Sequence, residues 1–220
     1  GATTWTFGTM TGTGVTNTVG GLMVSGGSGK GLTGGRTLNT PGTTHWTNTG
    51  PANGQIQVGD GAIINNSGTW LDQTVSTSIS YINGAAPTFN NSGTYTKSGA
   101  GTTTINSLFN NTGIVTVSAG TLSLSGGGTS TGSFTGAAGT TLVFEGSGAM
   151  LLTAASSITG AGSVTVSFNG NLTLTIDGTY NLTGGTSATT VSNGTMSFGV
   201  GATITSVGAS FTLTGGATAD

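Results

Sequence analysis

The chain lacks cysteine and is short of proline and charge, and each shortage excludes a class of protein. Without cysteine, its 220 residues have neither a disulfide framework nor thiolate chemistry. Only three prolines occur, and the 44 glycines follow no three-residue period, which excludes collagen. No apolar run approaches the roughly 20 residues that a membrane-spanning helix requires, so we predict no membrane span.

Charged side chains are equally scarce, at 4% of the chain and with a net charge of −2. The only basic residues are Lys30, Arg36 and Lys97. A surface that follows phosphates needs clustered lysine and arginine, so we predict no nucleic-acid partner. Intrinsic disorder is disfavoured, because hydrophobic residues make up 33% of the chain and the net charge is small.

Glycine and threonine dominate what is present, with 48 threonines beside the 44 glycines. Gly, Thr, Ser and Asn are poor helix formers, whereas Thr, Val and Ile favour strands. The recurring unit is a glycine followed by alternating apolar and hydroxyl residues, as in GNLTLT from residue 170 and GSVTVS from residue 162. This alternation predicts short strands with one buried and one exposed face, and therefore an all-β fold.

Three short segments nearly repeat one another: INNSGTW at 64–70, FNNSGTY at 89–95 and FNNTGIV at 109–115. The first asparagines of these segments are 25 and then 20 residues apart. A near-identical turn at such a period is typical of a solenoid, in which equivalent positions stack on the coil below. We predict a single parallel β-solenoid over residues 1–220, a right-handed β-helix with roughly 20–25 residues per coil and a rise of about 4.8 Å per coil.

The repeated segments are predicted to form a corner with an asparagine ladder. Stacked asparagine side chains can hydrogen-bond along the axis, and asparagine and glycine tolerate the left-handed conformation of a corner. The apolar residue before each pair (Ile64, Phe89 and Phe109) should fill the interior. The predicted structural residues are Asn65, Asn66, Asn90, Asn91, Asn110, Asn111, Gly68, Gly93 and Gly113. The alternative is N-glycosylation, because the first asparagine of each pair begins an N-x-[ST] triplet.

Outward threonines and serines form a second candidate site. The candidates are Thr165, Thr173, Thr175, Thr212 and Thr214, and in the last strand Phe211 and Leu213 are predicted to face inwards. In register, such residues would make a flat, uncharged surface similar to the ice-binding faces of β-solenoid antifreeze proteins. The alternative is that exposed strand positions favour threonine for its β-propensity.

No catalytic or cofactor pattern emerges from the sequence. His45 is the only histidine, and no metal-ligand spacing occurs, so we predict neither a cofactor nor a metal. Glycoside cleavage needs two neighbouring carboxylates, and Asp60, Asp72, Glu145 and Asp177 are far apart in sequence, so we predict no enzyme. A glycan-binding surface remains an alternative; Trp5 and Trp46 could stack on sugars, whereas Trp70 is expected to pack inside, like Tyr95.

The stretch FNNSGTYTKSGAGTTTINSLFNNTGIVTVSAGTLSLSGGGTSTGSF, residues 89–134, carries a family resemblance. It resembles repeats in very large secreted bacterial surface proteins, similar to autotransporter passengers and haemagglutinin-type adhesins. The resemblance implies a right-handed parallel β-helix, export to the cell surface and a structural or adhesive role. Neither end has a charged cap, and the chain begins without an initiator Met or an export signal. We therefore expect a segment of a longer array or a unit that associates end to end. A glycan or a host surface is a further possible partner.

Overall fold

The computed structural model describes residues 1–48, 54–146, 148–168 and 173–220. In these residues the chain forms thirty strands, and none of the described residues is helical. The strands form three ten-stranded sheets, and the paired strands of the described residues run parallel. Each sheet takes every third strand of the chain, so the backbone passes through one strand of each sheet in every turn.

The strands are numbered in chain order. The first sheet contains β1 (Thr3–Trp5), β4 (Leu22–Val24), β7 (Thr43–Trp46), β10 (Thr69–Asp72), β13 (Thr94–Lys97), β16 (Ile114–Val117), β19 (Ser133–Gly136), β22 (Ser157–Gly160), β25 (Thr179–Leu182) and β28 (Thr203–Val207). The second contains β2 (Gly8–Met10), β5 (Lys30–Leu32), β8 (Ile56–Val58), β11 (Thr77–Tyr81), β14 (Thr102–Ile105), β17 (Thr121–Leu124), β20 (Thr141–Gly146), β23 (Ser163–Phe168), β26 (Ala188–Ser192) and β29 (Ser210–Thr214). The third contains β3 (Val15–Asn17), β6 (Thr37–Thr40), β9 (Ile63–Asn66), β12 (Thr88–Asn91), β15 (Leu108–Asn111), β18 (Gly128–Ser130), β21 (Met150–Leu152), β24 (Thr173–Ile176), β27 (Thr195–Phe198) and β30 (Thr218–Ala219).

The predicted parallel β-solenoid is confirmed. It has about 9 turns of roughly 22 residues. Individual coils differ in length: paired residues in the first sheet are 19 residues apart from Thr3 to Leu22 and 26 apart from Thr44 to Trp70. The hand of the helix stays a prediction.

Alternate residues of each strand enclose one continuous apolar core. Ile64, Phe89 and Phe109 lie in register on the third sheet and are all buried, as the sequence indicates. The rings of Phe89 and Phe109 stack with centroids 5.4 Å apart. Trp70 and Tyr95 stack in the same way on the first sheet, at 6.3 Å. The packing of one coil is therefore repeated by the next, along the axis.

The corner geometry predicted for the repeated segments is wrong in one respect. The asparagine pairs end strands β9, β12 and β15, in extended backbone. Among the described non-glycine residues, only Asp60 and Asn193 have a positive φ.

The glycines Gly68, Gly93 and Gly113 are not in the left-handed region either. Glycine is needed there for space, because a Cβ on each of them would meet the carbonyl oxygen of the corner glycine one coil earlier. These residues belong to a glycine column, defined as Gly42, Gly68, Gly93, Gly113 and Gly132.

The last described coil is open. Phe211 and Leu213 pair with Thr189 and Val191, which are fully buried, so they continue the inward columns of the second sheet. Nevertheless Phe211 is 39% and Leu213 45% exposed. Alternation along a strand decides on which side of the sheet a residue lies. The residue is buried, however, only where a neighbouring coil covers it on both sides along the axis.

Candidate functional site

Two parallel asparagine ladders run along the third sheet. The outer ladder contains Asn17, Asn39, Asn65, Asn90 and Asn110, and from Asn39 onwards each Nδ2 donates to the asparagine Oδ1 of the preceding coil over 2.7–3.0 Å. These side chains lie on the outward face of the sheet and are half-buried or exposed.

The inner ladder lies inside the solenoid and points the opposite way. Asn66 donates to Asn91 over 2.7 Å, and Asn91 donates to Asn111 over 2.8 Å. Thr40 and Ser130 extend the ladder at its two ends through their hydroxyls. All of these side chains are buried, so the ladder satisfies polar groups that water cannot reach.

All three tryptophans belong to the core. Trp46 and Trp70 are fully buried and meet edge to face with centroids 6.0 Å apart, and Trp5 is 4% exposed. The indole nitrogen of Trp5 donates to the carbonyl of Gly8 over 3.3 Å. The suggestion that Trp5 and Trp46 stack on sugars is therefore wrong, because the side chains fill the interior.

A polar cluster that we did not predict is buried in the same region. The carboxylate of Asp72 accepts hydrogen bonds from the backbone N–H and hydroxyl of Thr74, at 3.1 and 2.6 Å, and from the hydroxyl of Tyr95 at 2.9 Å. Lys97 is also fully buried, and its Nζ donates to the carbonyls of Thr74 and Gly99 over 2.8 and 2.7 Å.

Burial dominates the titration of this cluster. It raises the pKa of Tyr95 well above 10.0, and the charge and hydrogen bond of Asp72 add to the effect. Burial also lowers the pKa of Lys97 below 10.5, and the negative charge of Asp72 partly opposes that shift. These are ordinary consequences of moving titratable groups out of water.

A simple sequence signal marks this cluster. In TWLD and TYTK the charged residue is two positions after the buried aromatic, so alternation places Asp72 with Trp70 and Lys97 with Tyr95 on the inward face. We overlooked it because charged residues are almost never fully buried.

The candidate threonines do not share one face. Thr165, Thr212 and Thr214 belong to the second sheet, and Thr173 and Thr175 to the third. Thr165, Thr190 and Thr212 nevertheless lie in direct register over three coils. We define the threonine face as two registered columns of the second sheet: Thr102, Thr121, Thr141 and Ser163, and Ser78, Thr104, Ser123, Val143, Thr165, Thr190 and Thr212.

Hydroxyls are not confined to the threonine face. On the first sheet, Thr96, Thr116, Thr135 and Thr159 also stack in register. On the third, Thr173, Thr195 and Thr218 do so, and the hydroxyls of Thr195 and Thr218 are 2.7 Å apart.

The remaining titratable side chains are dispersed. His45 lies on the outward face of β7, with Nδ1 3.3 Å from Oε1 of Gln73. Asp60 lies in a corner, Glu145 in β20 and Asp177 just after β24. The described residues contain no cluster of three or more potential metal ligands. In the same part of the chain, no helix has the length and apolarity to cross a membrane.

Comparisons with family models, with curated proteins and with solved structures found no match to this chain.

Proposed function

We propose that this chain is a structural or adhesive segment of an extracellular bacterial surface protein or fibre. The observation that carries the proposal is the axial continuity of its bonding. Backbone ladders, an apolar core and the asparagine ladders all connect successive coils along the same axis.

Such a molecule resists extension and digestion for a physical reason. Every strand other than those of the first and last described coils pairs on both sides, so few backbone groups are open to a protease. Local opening must break contacts with two neighbouring coils at once. These properties suit a rod that works mechanically.

The lack of surface charge also supports a mechanical role. Of the three basic side chains, Lys30 and Lys97 are fully buried and bonded to backbone carbonyls. Arg36 donates to the hydroxyl of Thr16 over 2.8 Å. A surface with so little positive charge has no clustered cations to follow a phosphate backbone.

The partner that we propose for the open coil is a further coil. Phe211, Leu213 and Ile204 are exposed there although their columns are buried in the preceding coil. Apolar columns and unpaired strand edges of this kind are completed by continuation of the array or by a second copy.

Electron microscopy of the purified chain tests the rod. We expect straight particles about 45–50 Å long, from ten strand layers about 4.8 Å apart, or filaments built from that repeat. Irregular globular particles that proteases digest rapidly would contradict it. On intact cells of the source organism, an antibody raised against the chain should label the cell surface; labelling only after the cells are broken open would contradict the surface location.

Ice binding is a second candidate function, favoured by the threonine face. Its columns repeat at the strand spacing of about 4.8 Å and contain one aliphatic member, Val143. We expect the chain to partition into slowly growing ice, and the double variant Thr165→Lys with Thr190→Lys to lose that partition. The matched control is Thr116→Lys with Thr135→Lys on the first sheet. Equal exclusion of wild type and control protein from ice would rule the candidate out.

A further inference from the structure

We infer that a cleft at one corner of the solenoid binds an uncharged sugar unit of a glycan. This inference deepens the adhesive part of the proposed function and rests on it. The cleft lies where the second sheet turns into the third and has a volume of about 370 Å³. Its lining includes Tyr81, Pro87, Asn106, Leu108 and Ser125.

Unequal corner lengths create the cleft. Six residues, 82–87, connect β11 to β12, whereas only residues 106 and 107 connect β14 to β15 in the next coil. The hydrogen bonds Asn106 N–H to Ile79 O and Leu108 N–H to Pro87 O keep the two coils in register on both sides of the corner. The longer corner therefore projects beyond the coils that follow and leaves the cleft beside it. The volume of the cleft falls within the range of about 300–1,000 Å³ typical of small-ligand sites.

Tyr81 provides a fixed aromatic surface at the edge of this cleft. It is 44% exposed, and its hydroxyl donates to the carbonyl of Gly84 in the same corner. The hydrogen bond restrains the ring while leaving it accessible. An accessible aromatic ring is a good surface for the C–H groups of a pyranose, since it offers apolar contact at a low cost in conformational entropy.

Polar groups with free bonding capacity lie beside the ring. Asn106 is exposed, and its side-chain amide makes no hydrogen bond to any described residue. Ser125 donates to the carbonyl of Ile105 over 3.3 Å and retains its acceptor lone pairs. An amide and a hydroxyl can pair with sugar hydroxyls, which both donate and accept.

The charge of the lining selects the class of ligand. The residues that line the cleft include no Asp, Glu, Lys, Arg or His. Sulfated or uronic-acid polymers would therefore find no cation here. An aromatic ring, an amide and a hydroxyl around an uncharged cleft suit a neutral hexose, and the buried tryptophans cannot serve that purpose.

Affinity electrophoresis tests this inference with defined probes. The full chain is run through native gels that contain laminarin, amylopectin or galactomannan, with alginate as the anionic comparison. We expect retardation by at least one neutral polysaccharide and weakening of about tenfold or more in Tyr81→Ala, the loss expected for an aromatic stacking contact. Tyr81→Phe keeps the ring and should stay within about threefold of wild type, because it loses a single hydrogen bond.

Two further variants locate the site. Asn106→Ala should weaken retardation by about threefold to tenfold, the cost of one or two hydrogen bonds. Phe7→Ala removes an exposed aromatic outside the cleft and should leave retardation unchanged. All four substitutions lie at exposed positions, so urea unfolding curves should confirm that the variants fold.

Three results would overturn the inference: no retardation of the wild-type chain by any neutral polysaccharide, equal retardation of wild type and Tyr81→Ala, or preferential retardation by alginate. None of them bears on the rod itself, which microscopy and antibody labelling of intact cells test independently. Failure of the cleft and failure of the proposed structural function are therefore distinguishable.

Discussion

Asn90 and Asn91 are neighbours in one strand, yet their side chains lie in different surroundings. Asn90 belongs to the outer ladder and is half-buried, whereas Asn91 belongs to the inner ladder and is 1% exposed. Both accept from one coil and donate to another. A hydrogen bond contributes more when its loss leaves partners that water cannot reach.

Asn91→Ala is therefore expected to lower the free energy of unfolding by about 2–3 kcal/mol. The substitution removes an acceptor from Asn66 and a donor from Asn111, both of them buried. Asn90→Ala is the matched control and should cost less than about 1 kcal/mol, because water can replace the lost partner. Urea unfolding at neutral pH measures both, and equal losses would contradict the distinction between the ladders.

The buried cluster predicts a dependence of stability on alkaline pH. Because its pKa is raised in the fold, Tyr95 contributes stability that is complete below 10.0 and is lost as the pH rises through the folded value. Tyr180, whose pKa burial also raises, acts in the same direction. The contribution of Lys97 has the opposite sign. Because its pKa is lower in the folded state than in the unfolded state, the free energy of unfolding rises with pH between the folded pKa and the unfolded value of 10.5.

We therefore expect the free energy of unfolding to rise gently towards pH 10 and to fall above it. Urea unfolding from about pH 8 to about pH 12 measures this profile. Tyr95→Phe should flatten the fall, and Lys97→Met should reduce the rise, to which Lys30, whose pKa burial also lowers, contributes as well. Tyr81→Phe, at an exposed position, is the control. A fall above pH 10 that Tyr95→Phe leaves unchanged would exclude Tyr95 as its source.

The corners show a second constraint at the scale of elements. The glycine column brings the backbones of successive coils together so closely that no side chain fits between them. A glycine of this column precedes every first-sheet strand from β7 to β19. The geometry of the corner therefore positions the hydrogen bonds from Asn66 to the carbonyl of Thr94 and from Asn91 to the carbonyl of Ile114.

Gly93→Ala is expected to destabilise the fold by about 3 kcal/mol, since its methyl group would meet the carbonyl oxygen of Gly68 and backbone cannot rotate away. Gly185→Ala is the matched control, because a Cβ there has no atom within 4 Å. Thermal unfolding of the two variants measures the difference. Equal melting temperatures would show that the corner can widen freely.

In the whole molecule, protection should vary along the axis. Central coils such as those of β10 to β16 have a neighbouring coil on both sides and a buried core, whereas all residues of β29 and β30 are exposed. Stability in a stacked array is a sum of coil and neighbour terms, so the open coil should open first.

Hydrogen–deuterium exchange followed by mass spectrometry should therefore show residues 203–219 exchanging well before residues 88–117. The physical reason is that the last coil has one neighbour and the central coils have two. Uniform exchange along the chain would mean that the solenoid opens only as one unit, contrary to the expectation for a linear array.

Much of the fold was predictable from local patterns. Alternation in each strand gave the inward positions of Ile64, Phe89 and Phe109, and the repeated N-N pair gave the period of the coil. Both signals are local, because the side of a strand on which a residue lies depends only on its position in that strand.

The candidate surfaces were less predictable, since they depend on which coil lies beside which. The candidate threonines divide between two sheets, and Trp5 and Trp46 prove to be core residues. Connections of two to nine residues between strands absorb differences in coil length, so the register of distant strands does not follow from a fixed period.

By itself, then, the sequence determined an all-β chain of short strands, its solenoid period and its nearly uncharged character. The tertiary structure alone decided that Asp72 lies beside Tyr95 and Lys97 of the next coil, that glycine is required by close approach rather than by a left-handed turn, and that one long corner opens a cleft beside Tyr81. The physical reason is the same in each case. These features depend on the contact between successive coils, and that contact joins residues about 20 positions apart whose exact pairing only the folded stack defines.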